Sequence, residues 1–430
     1  MASRMIVSDV ASSQGENNIM VMDIKGAFLY GDIEDIIYIE LPDEDPRKKD
    51  GFVGRLRKAM YGTRAAPQVW QSVVKQTLTN LGFEASIVQP CVYFHRSRDL
   101  RIVTHVDDFL CGGPKASLLW LRKQLQNEFE LKSQILGDGV GEDRAVKFLG
   151  RTIRWESHGI EIEGDNKHVK VLLEEWNMST SKPVTTPGTS EEKDGDKNIE
   201  EDELLVGDEA TFYRRAAARL NYMALDRMDL SFAAKEIART MATPNRKDIP
   251  KIKRVIRYLR GTPSAKLIYR WQDCPSEILV YSDSDWAGCQ KTRKSTSGGV
   301  LMHGSHALTH WSSTQATIAL SVAEAELNAL IKAAVEAAGA SNLGHELDMP
   351  RSMRILTDSN SAKGICQRQG TGKVKHLECR QLWLQERVLK KSVKIEKIPR
   401  EQNSSDSLTH YWSCVDAKLH FARVGFEMCG

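Results

Sequence analysis

The sequence predicts a mixed α/β (α+β) protein in which two regions of strands and helices flank a helical region. Three observations support this prediction. The chain has 430 residues, of which 41% are hydrophobic and 27% charged, a composition typical of a globular protein of about three domains. In both halves, short runs rich in β-branched residues alternate with longer runs of helical periodicity. A highly charged stretch separates the halves.

The first region places acids at the ends of predicted strands. An apolar run ends at Asp23, before a glycine-containing turn, and residues 102–110 predict a hairpin that carries Asp107 and Asp108. Neighbouring residues on a straight strand point to opposite faces, so adjacent carboxylates serve one site only where the chain reverses. Two alternatives stay open: the adjacent pair forms the turn itself, and Asp23 caps a helix.

A basic, glycine-containing loop follows at residues 54–64 and leads into an amphipathic stretch at residues 69–81. Tyr61, Gly62 and Arg64 lie just before this predicted helix. Basic side chains and free amides at such a position can contact phosphates. The alternative is an ordinary solvated surface loop.

The middle of the chain predicts a linker and then helices. Residues 181–209 contain prolines and a long charged run, which predicts a mobile acidic linker. Residues 210–242 and 248–260 predict helices, and the second has an apolar stripe opposite a nearly all-positive face. This face favours contact with a nucleic-acid backbone over a merely solvated surface. Its charges include Lys251, Arg254 and Arg257.

The last region again places acids on separate elements. Asp283 and Asp358 end two predicted strands, Glu326 lies on a long Ala-rich helix predicted over residues 318–343, and Asp406 follows the last strand. Converging carboxylates are the hard oxygen ligands that Mg²⁺ prefers, and two such ions catalyse phosphodiester chemistry. We therefore expect two metal-dependent sites, one in each half. The eight cysteines include no C-x-x-C pair, so no zinc site is expected.

Ordered motifs along nearly the whole chain resemble those of a known family. They include MDIKGAFLYGDIEDIIYIELP around Asp23, THVDDFL around Asp107, YSDSDWAG around Asp283 and LSVAEAELNAL around Glu326. This series resembles the reverse transcriptase and ribonuclease H part of copia-type LTR retrotransposon Pol polyproteins. The similarity runs from residue 5 to the neighbourhood of Trp412.

The resemblance implies a domain organisation. It comprises a reverse transcriptase palm with an adjoining hairpin over residues 1–180, the linker over 181–209, a helical thumb or connection region over 210–275, and a ribonuclease H-like mixed-sheet domain over 276–430. Only a short lead precedes Asp23. We therefore expect an N-terminally truncated chain whose fingers subdomain is largely missing.

The resemblance also implies site roles, with two Mg²⁺ or Mn²⁺ ions at each of two sites. The polymerase ligands would be Asp23, Asp107 and Asp108. The nuclease ligands would be Asp283, Glu326, Asp358 and Asp406. Tyr61, Gly62 and Arg64 would lie beside the nucleotide and template, and the helical region with Lys251, Arg254 and Arg257 would grip the duplex backbone.

The leading functional hypothesis is an RNA-directed DNA polymerase with ribonuclease H activity. Its partners would be an RNA template, an RNA/DNA hybrid, DNA and dNTPs, with integrase, protease and Gag encoded elsewhere and no membrane contact. The alternatives are a polymerase-dead fragment that retains only hybrid cleavage, and a catalytically silent nucleic-acid-binding relic. By family resemblance we expect an intracellular location, in cytoplasmic particles or the nucleus.

Overall fold

A computed structural model describes residues 1–189, 203–372 and 375–429. Its helices within these ranges are α1 (Ala2–Ala11), α2 (Ala66–Asn80), α3 (Lys115–Glu128), α4 (Lys167–Glu175), α5 (Gly207–Met223), α6 (Ser231–Ala238), α7 (Ile249–Gly261), α8 (Val322–Glu346), α9 (Asn360–Gln367), α10 (Cys379–Leu389) and α11 (Cys414–Arg423).

The strands in the same ranges are β1 (Asn17–Ile24), β2 (Tyr38–Glu40), β3 (Val53–Arg55), β4 (Glu84–Ala85), β5 (Val92–His95), β6 (Leu100–His105), β7 (Asp108–Pro114), β8 (Leu131–Leu136), β9 (Ala145–Phe148), β10 (Arg151–Glu156), β11 (Gly159–Glu163), β12 (Ser264–Arg270), β13 (Glu277–Ser284), β14 (Thr296–His303), β15 (His306–Thr314), β16 (Ser352–Thr357), β17 (Val393–Lys397) and β18 (Phe426–Cys429).

The first sheet has six strands in the order β4-β5-β6-β7-β1-β8. Strand β1, which lies between β7 and β8, is buried on both faces: Ile19 and Val21 join the core shared with α1, whereas Met20 and Met22 join the core shared with α2 and α3. Alternate residues of a strand point to opposite faces, so one apolar strand serves both cores. This arrangement confirms the predicted hairpin, because β6 and β7 pair directly.

The second sheet has the order β18-β12-β11-β10-β9. Strand β12 comes from the region predicted to be helical and pairs with β11 from the first region, and β18 from the end of the chain pairs with β12. The predicted boundaries at residues 180 and 275 therefore divide strands that share a sheet. Those boundaries stay a prediction.

The third sheet has the order β15-β14-β13-β16-β17, with β13, β16 and β17 parallel and β14 and β15 antiparallel. This is the mixed sheet predicted for the last region. Helix α8 packs across it against β13, β14 and β16. The helix begins at Val322, four residues later than residue 318 where the sequence predicts it, because Ser321 caps it by accepting a hydrogen bond from the Glu324 amide at 3.2 Å.

The sequence predicts a helix over residues 210–242, but the structure divides this stretch into two helices. Helix α5 ends at Met223 and α6 begins at Ser231. Between them, Arg227 and Asp229 form a buried bidentate pair at 3.0 and 2.6 Å. Tyr258 of α7 also donates to Asp229, at 2.7 Å. A buried charge pair needs such additional hydrogen bonds, and the chain turns here to provide them.

The predicted acidic linker is described only at its flanks, because residues 190–202 lie outside the described ranges. On the first flank, the Arg254 guanidinium donates to Thr186 at 3.0 Å and that of Arg257 to the Lys182 carbonyl at 2.7 Å. On the second, the Leu205 amide donates to the Pro244 carbonyl at 2.9 Å. Both flanks therefore make specific contacts with the helical region.

Among the described residues, no helix combines the length and the apolar character needed to cross a membrane.

Candidate functional site

The adjacent carboxylates lie at the tip of a tight hairpin. Strand β6 ends at His105, β7 begins at Asp108, and these two residues pair with only Val106 and Asp107 between them. Val106 has a φ of +56°, a left-handed conformation that is strained for a β-branched residue. The chain reversal that two adjacent carboxylates require is thus present, and the turn carries strain of the kind found at functional sites.

Strand pairing brings Asp23 beside Asp108. The two residues are direct partners of β1 and β7, and the Ile24 amide donates to the Asp107 carbonyl at 3.0 Å. That bond flanks the Asp23 and Asp108 pair, so the backbones of these two residues do not hydrogen-bond each other. Side chains approach most closely at such pairs, where the Cβ atoms lie about 4.5–5.5 Å apart. Two carboxylates from distant segments therefore share one edge of the sheet.

The electrostatics of this edge reflect the crowding of acids. Partial burial, followed by the negative charges of Asp107 and Asp23, raises the pKa of Asp108. Asp23 itself is exposed, and Asp107 and Asp108 are half-buried. A cation bound between them would remove the repulsion that raises this pKa.

A residue that sequence reasoning missed holds this turn in place. The indole Nε1 of Trp70, in α2, donates to the Val106 carbonyl at 2.6 Å, and Trp70 is 2% exposed. A Trp on the apolar face of a predicted helix is ordinarily a core residue, so its sequence position gave no signal of this bond. Trp70 is a positioning residue for the turn.

The predicted nucleotide loop lies before α2. Tyr61 is half exposed, and its ring lies 4.5 Å from that of Phe28 between ring centroids, while Arg64 is exposed. Gly62 has a φ of +93°, which favours glycine. Phe28 follows the end of β1 by four residues, and Asp23 lies at that end. The contact therefore places the loop near Asp23.

The second set of acids converges more closely. Carboxylate oxygens of Asp283, Glu326 and Asp358 all lie within 4.8 Å of one another. They come from the end of β13, the second turn of α8 and the residue after β16. Strands β13 and β16 are parallel neighbours, so their carboxyl ends meet at one edge of the sheet, and α8 crosses that edge.

This set of Asp283, Glu326 and Asp358, which we call the Asp283 cluster, is largely buried, and one of its oxygens has no hydrogen-bond partner among the described residues. Asp283 and Glu326 are each 5% exposed. The Thr409 hydroxyl donates to Asp283, but the Glu326 Oε2 atom has no hydrogen-bond partner among the described residues. A buried, unpaired carboxylate oxygen aimed into a cluster of hard oxygen donors fits a divalent cation of the Mg²⁺ class.

The protonation states follow from this burial. Burial raises the pKa of Asp283, of Glu326 and of Asp358, and nearby negative carboxylates raise all three further. Three mutually repelling carboxylates favour either bound protons or a bound cation. Metal binding would compete with protons at this site.

Asp406 lies next to the cluster but has its own partners. Its carboxylate accepts a hydrogen bond from Arg400 at 3.1 Å and lies 3.5 Å from His410. The negative charge of Asp406 also raises the pKa values of Asp283 and Asp358, which places it within electrostatic range of both. Sequence reasoning missed Arg400, His410 and Thr409, because isolated polar residues near a chain end carry no recognisable pattern.

The basic face of α7 is partly occupied by the chain itself. Lys251 forms an ion pair with Asp248 at 3.2 Å. Arg254 and Arg257 hold the segment from Lys182 to Thr186, as described above. Partial burial, with the neighbouring Arg257 charge, lowers the pKa of Arg254. The predicted duplex contact through these side chains stays a prediction.

Known proteins resemble this chain in sequence and in fold. Residues 4–190 match the family model described as reverse transcriptase (RNA-dependent DNA polymerase). The chain is 30% identical over 402 residues to the retrovirus-related Pol polyprotein from transposon TNT 1-94 of Nicotiana tabacum, a match that covers 90% of this chain and 29% of the relative. It is 27% identical over 398 residues to that from transposon RE1 of Arabidopsis thaliana, covering 90% of this chain and 26% of the relative.

A solved structure has a similar fold. The foamy viral protease-reverse transcriptase, solved in complex with an RNA/DNA hybrid, superposes with a TM-score of 0.51 at 12% identity, covering 89% of this chain and 44% of that one. This likeness in fold covers nearly the whole chain. The chain spans less than a third of the two plant polyproteins. Its residues 4–190 match the reverse transcriptase family, and about 90% of its length is similar in sequence to retrovirus-related Pol polyproteins from plant transposons of the copia type.

Proposed function

We propose that the chain is an RNA-directed DNA polymerase with ribonuclease H activity, using two-metal phosphoryl transfer at both acid sets. The observation that carries the proposal is the cluster of Asp283, Glu326 and Asp358, whose oxygens lie within 4.8 Å, together with the unpartnered Glu326 oxygen. The fold supports it, because the similar foamy viral enzyme was solved with an RNA/DNA hybrid.

At the nuclease site, the three clustered carboxylates and Asp406 would hold Mg²⁺ or Mn²⁺. Bound divalent ions activate an attacking water and stabilise the leaving oxygen of a phosphodiester. The protein orients the carboxylates for this role: Thr409 fixes Asp283, and Arg400 fixes Asp406. The substrate would be the RNA strand of an RNA/DNA hybrid, recognised by its shape and 2′-hydroxyls.

The nuclease proposal is tested by Asp358→Asn. Asn keeps the size of the side chain but removes one anionic ligand, so we expect Mg²⁺-dependent hybrid cleavage to fall to background while the far-UV circular dichroism spectrum is unchanged. Glu386→Gln on α10 is the control, because it removes an exposed charge that pairs with Lys390 and should leave cleavage unchanged. Undiminished cleavage by Asp358→Asn would refute the assignment of this site.

At the polymerase site, Asp23, Asp107 and Asp108 would hold the ions, and Tyr61, Gly62 and Arg64 would contact the nucleotide and template. Here one observation favours a second candidate function, a nuclease without polymerase activity. Among the described residues, only the Asp283 cluster brings three carboxylates within 4.8 Å, whereas Asp23 is exposed and Asp107 lies in the turn.

Primer extension on a homopolymer RNA template separates the two candidates. If the polymerase site is active, the wild-type chain incorporates dNTPs and Asp108→Asn reduces incorporation to background while hybrid cleavage continues. If the wild-type chain cleaves hybrids but incorporates nothing, the nuclease-only function is correct. Salt-sensitive hybrid binding with neither activity would identify a silent nucleic-acid-binding relic.

A further inference from the structure

Four large apolar side chains are exposed beside the Asp283 cluster. We call this set the apolar rim; it consists of Trp286, Ile318, Leu320 and Val322. Their exposed fractions are 52, 50, 66 and 52%. A group of apolar side chains held in water next to a polar site is more informative than scattered ones, because such patches mark binding surfaces.

The main chain under the apolar rim is held by specific hydrogen bonds. The Trp286 indole donates to the Ala319 carbonyl at 3.1 Å, which joins the loop after β13 to the loop before α8. The Leu320 amide donates to Glu324 at 2.8 Å, and His376 lies 2.8 Å from the same carboxylate oxygen. The backbone that carries the apolar side chains is therefore held in place. These side chains stay exposed to water because the backbone does not rearrange to bury them.

The apolar rim lies next to the Asp283 cluster in two elements, the loop after β13 and the start of α8. Trp286 follows Asp283 by three residues, just past the end of β13. Val322 precedes Glu326 by four residues in α8, so the two side chains lie one helical turn apart on the same face. Trp286 and Val322 are thus each within four residues of a clustered carboxylate, so a molecule bound at the cluster lies close to the rim.

A basic turn continues from the apolar rim. Lys291 and Arg293 are exposed on it. The turn is closed by the Arg293 amide, which donates to the Cys289 carbonyl at 2.7 Å, and by the Cys289 amide, which donates to the Lys294 carbonyl at 3.2 Å. Exposed cations that follow Asp283 and Trp286 in the chain match a polyanion that must reach a metal-binding acid cluster.

We propose that the apolar rim and the basic turn form the nuclease's duplex-binding surface, with sugar and base-edge surfaces of an RNA/DNA hybrid packed on the rim and phosphates on Lys291 and Arg293. The inference rests on the proposed function and adds the residues that hold its substrate. Aromatic and aliphatic surfaces bind nucleic acids by stacking and apolar contact, and basic groups bind phosphates by counterion release. The rim therefore contributes affinity that is insensitive to salt.

Hybrid binding by the full chain in EDTA tests this surface without cleavage. We expect Trp286→Ala and Leu320→Ser each to raise the Kd for a labelled hybrid about tenfold, with no change in the salt dependence of binding. Lys291→Gln combined with Arg293→Gln should instead reduce the slope of log K against log salt by about 2. Val140→Ser is the matched control, because Val140 is fully exposed between β8 and β9, outside the sheet that carries the cluster.

Trp286→Phe keeps the inference testable if the Ala variant fails to fold, since Phe retains an aromatic surface and should raise the Kd less than about threefold. Unchanged hybrid affinity in folded rim variants would overturn the inference, as would rim variants that alter only self-association in gel filtration. A wild-type chain that binds hybrid through the rim but does not cleave it would refute the proposed function and leave the inference standing.

Discussion

At the scale of single residues, the turn that carries Asp107 and Asp108 depends on one side chain from another element. Trp70 donates to the Val106 carbonyl across 36 residues of sequence, and Val106 is held in a left-handed conformation. Strained turns of this kind persist only where surrounding contacts determine them, at a cost of about 1–3 kcal/mol. The indole hydrogen bond is the contact that offsets this cost.

Trp70→Phe tests that relationship. Phe fills most of the same space but removes the hydrogen bond, which contributes roughly 1 kcal/mol, so we expect faster hydrogen–deuterium exchange across residues 104–110 and reduced primer extension. Hybrid cleavage by the same variant is the internal control and should be unchanged, because the Asp283 cluster lies in a different sheet. Unaltered exchange across the turn would show that Trp70 does not position it.

Asp23, Asp283 and Asp358 could be selected from the sequence because each stands where a hydrophobic run ends. The pairing of β1 with β7 then places Asp23 and Asp108 at the same edge of the first sheet. The parallel pairing of β13 with β16 places Asp283 and Asp358 at the same edge of the third sheet. Their supporting residues could not be predicted. Thr409 reaches Asp283 from 126 residues away, and no local pattern distinguishes it from the other threonines of the chain.

At the scale of elements, the hydrophobic periodicity predicts where helices lie but not what their polar faces contact. The apolar stripe of α7 is buried through Ile252, Val255, Ile256 and Leu259, as predicted. Its positive face, however, holds the chain segment that precedes residue 190 through Arg254 and Arg257. Charge periodicity alone does not distinguish an intramolecular carbonyl from a phosphate, since both accept the same guanidinium hydrogen bonds.

Helix α8 shows how one element serves two parts of the molecule. Glu326 lies in its second turn at the Asp283 cluster, whereas Glu346 at its last residue accepts hydrogen bonds from the amides of Ile87 and Val88 at 3.1 and 3.3 Å. The helix therefore runs from the Asp283 cluster to the loop between β4 and β5 of the first sheet. Its Ala-rich sequence predicts a long buried helix, but contacts between residues about 260 positions apart lie beyond sequence periodicity.

At the scale of the whole molecule, α1 joins all three large sheets. It packs against β1, β6 and β7 of the first sheet, β11 and β12 of the second and β15 of the third. Ser8, fully buried in this helix, lies 2.8 Å from the Nδ1 atoms of both His303 and His306, which flank the turn between β14 and β15. Residues 295 positions apart thus form one buried polar junction.

The donors and acceptors of this junction determine its proton positions. Arg351 can only donate, so its 3.2 Å bond makes His303 Nε2 an acceptor and leaves the proton on Nδ1, which donates to Ser8. The Arg270 carbonyl can only accept, so His306 carries its proton on Nε2 and accepts from Ser8 through Nδ1. Every member is satisfied when both imidazoles are neutral. A further proton on either ring would place a positive charge in this buried junction.

Stability should therefore fall in acid through these two residues. Burial lowers the pKa of His306 to about 4, and burial with the nearby Arg351 charge lowers that of His303 to about 3. The unfolded chain takes up protons near pH 6.5 and the folded chain does not, so stability is full above pH 6.5 and falls as the pH drops toward 4, by roughly 3 kcal/mol for His306. We expect urea midpoints to follow this slope, and His303→Gln with His306→Gln to flatten it at the expense of stability at pH 7.

The control is His345→Gln, because His345 is exposed near the end of α8 and its replacement should leave the slope unchanged. An unaltered slope in the double variant would show that carboxylate titration, and not this junction, controls the acid sensitivity of the assembled sheets.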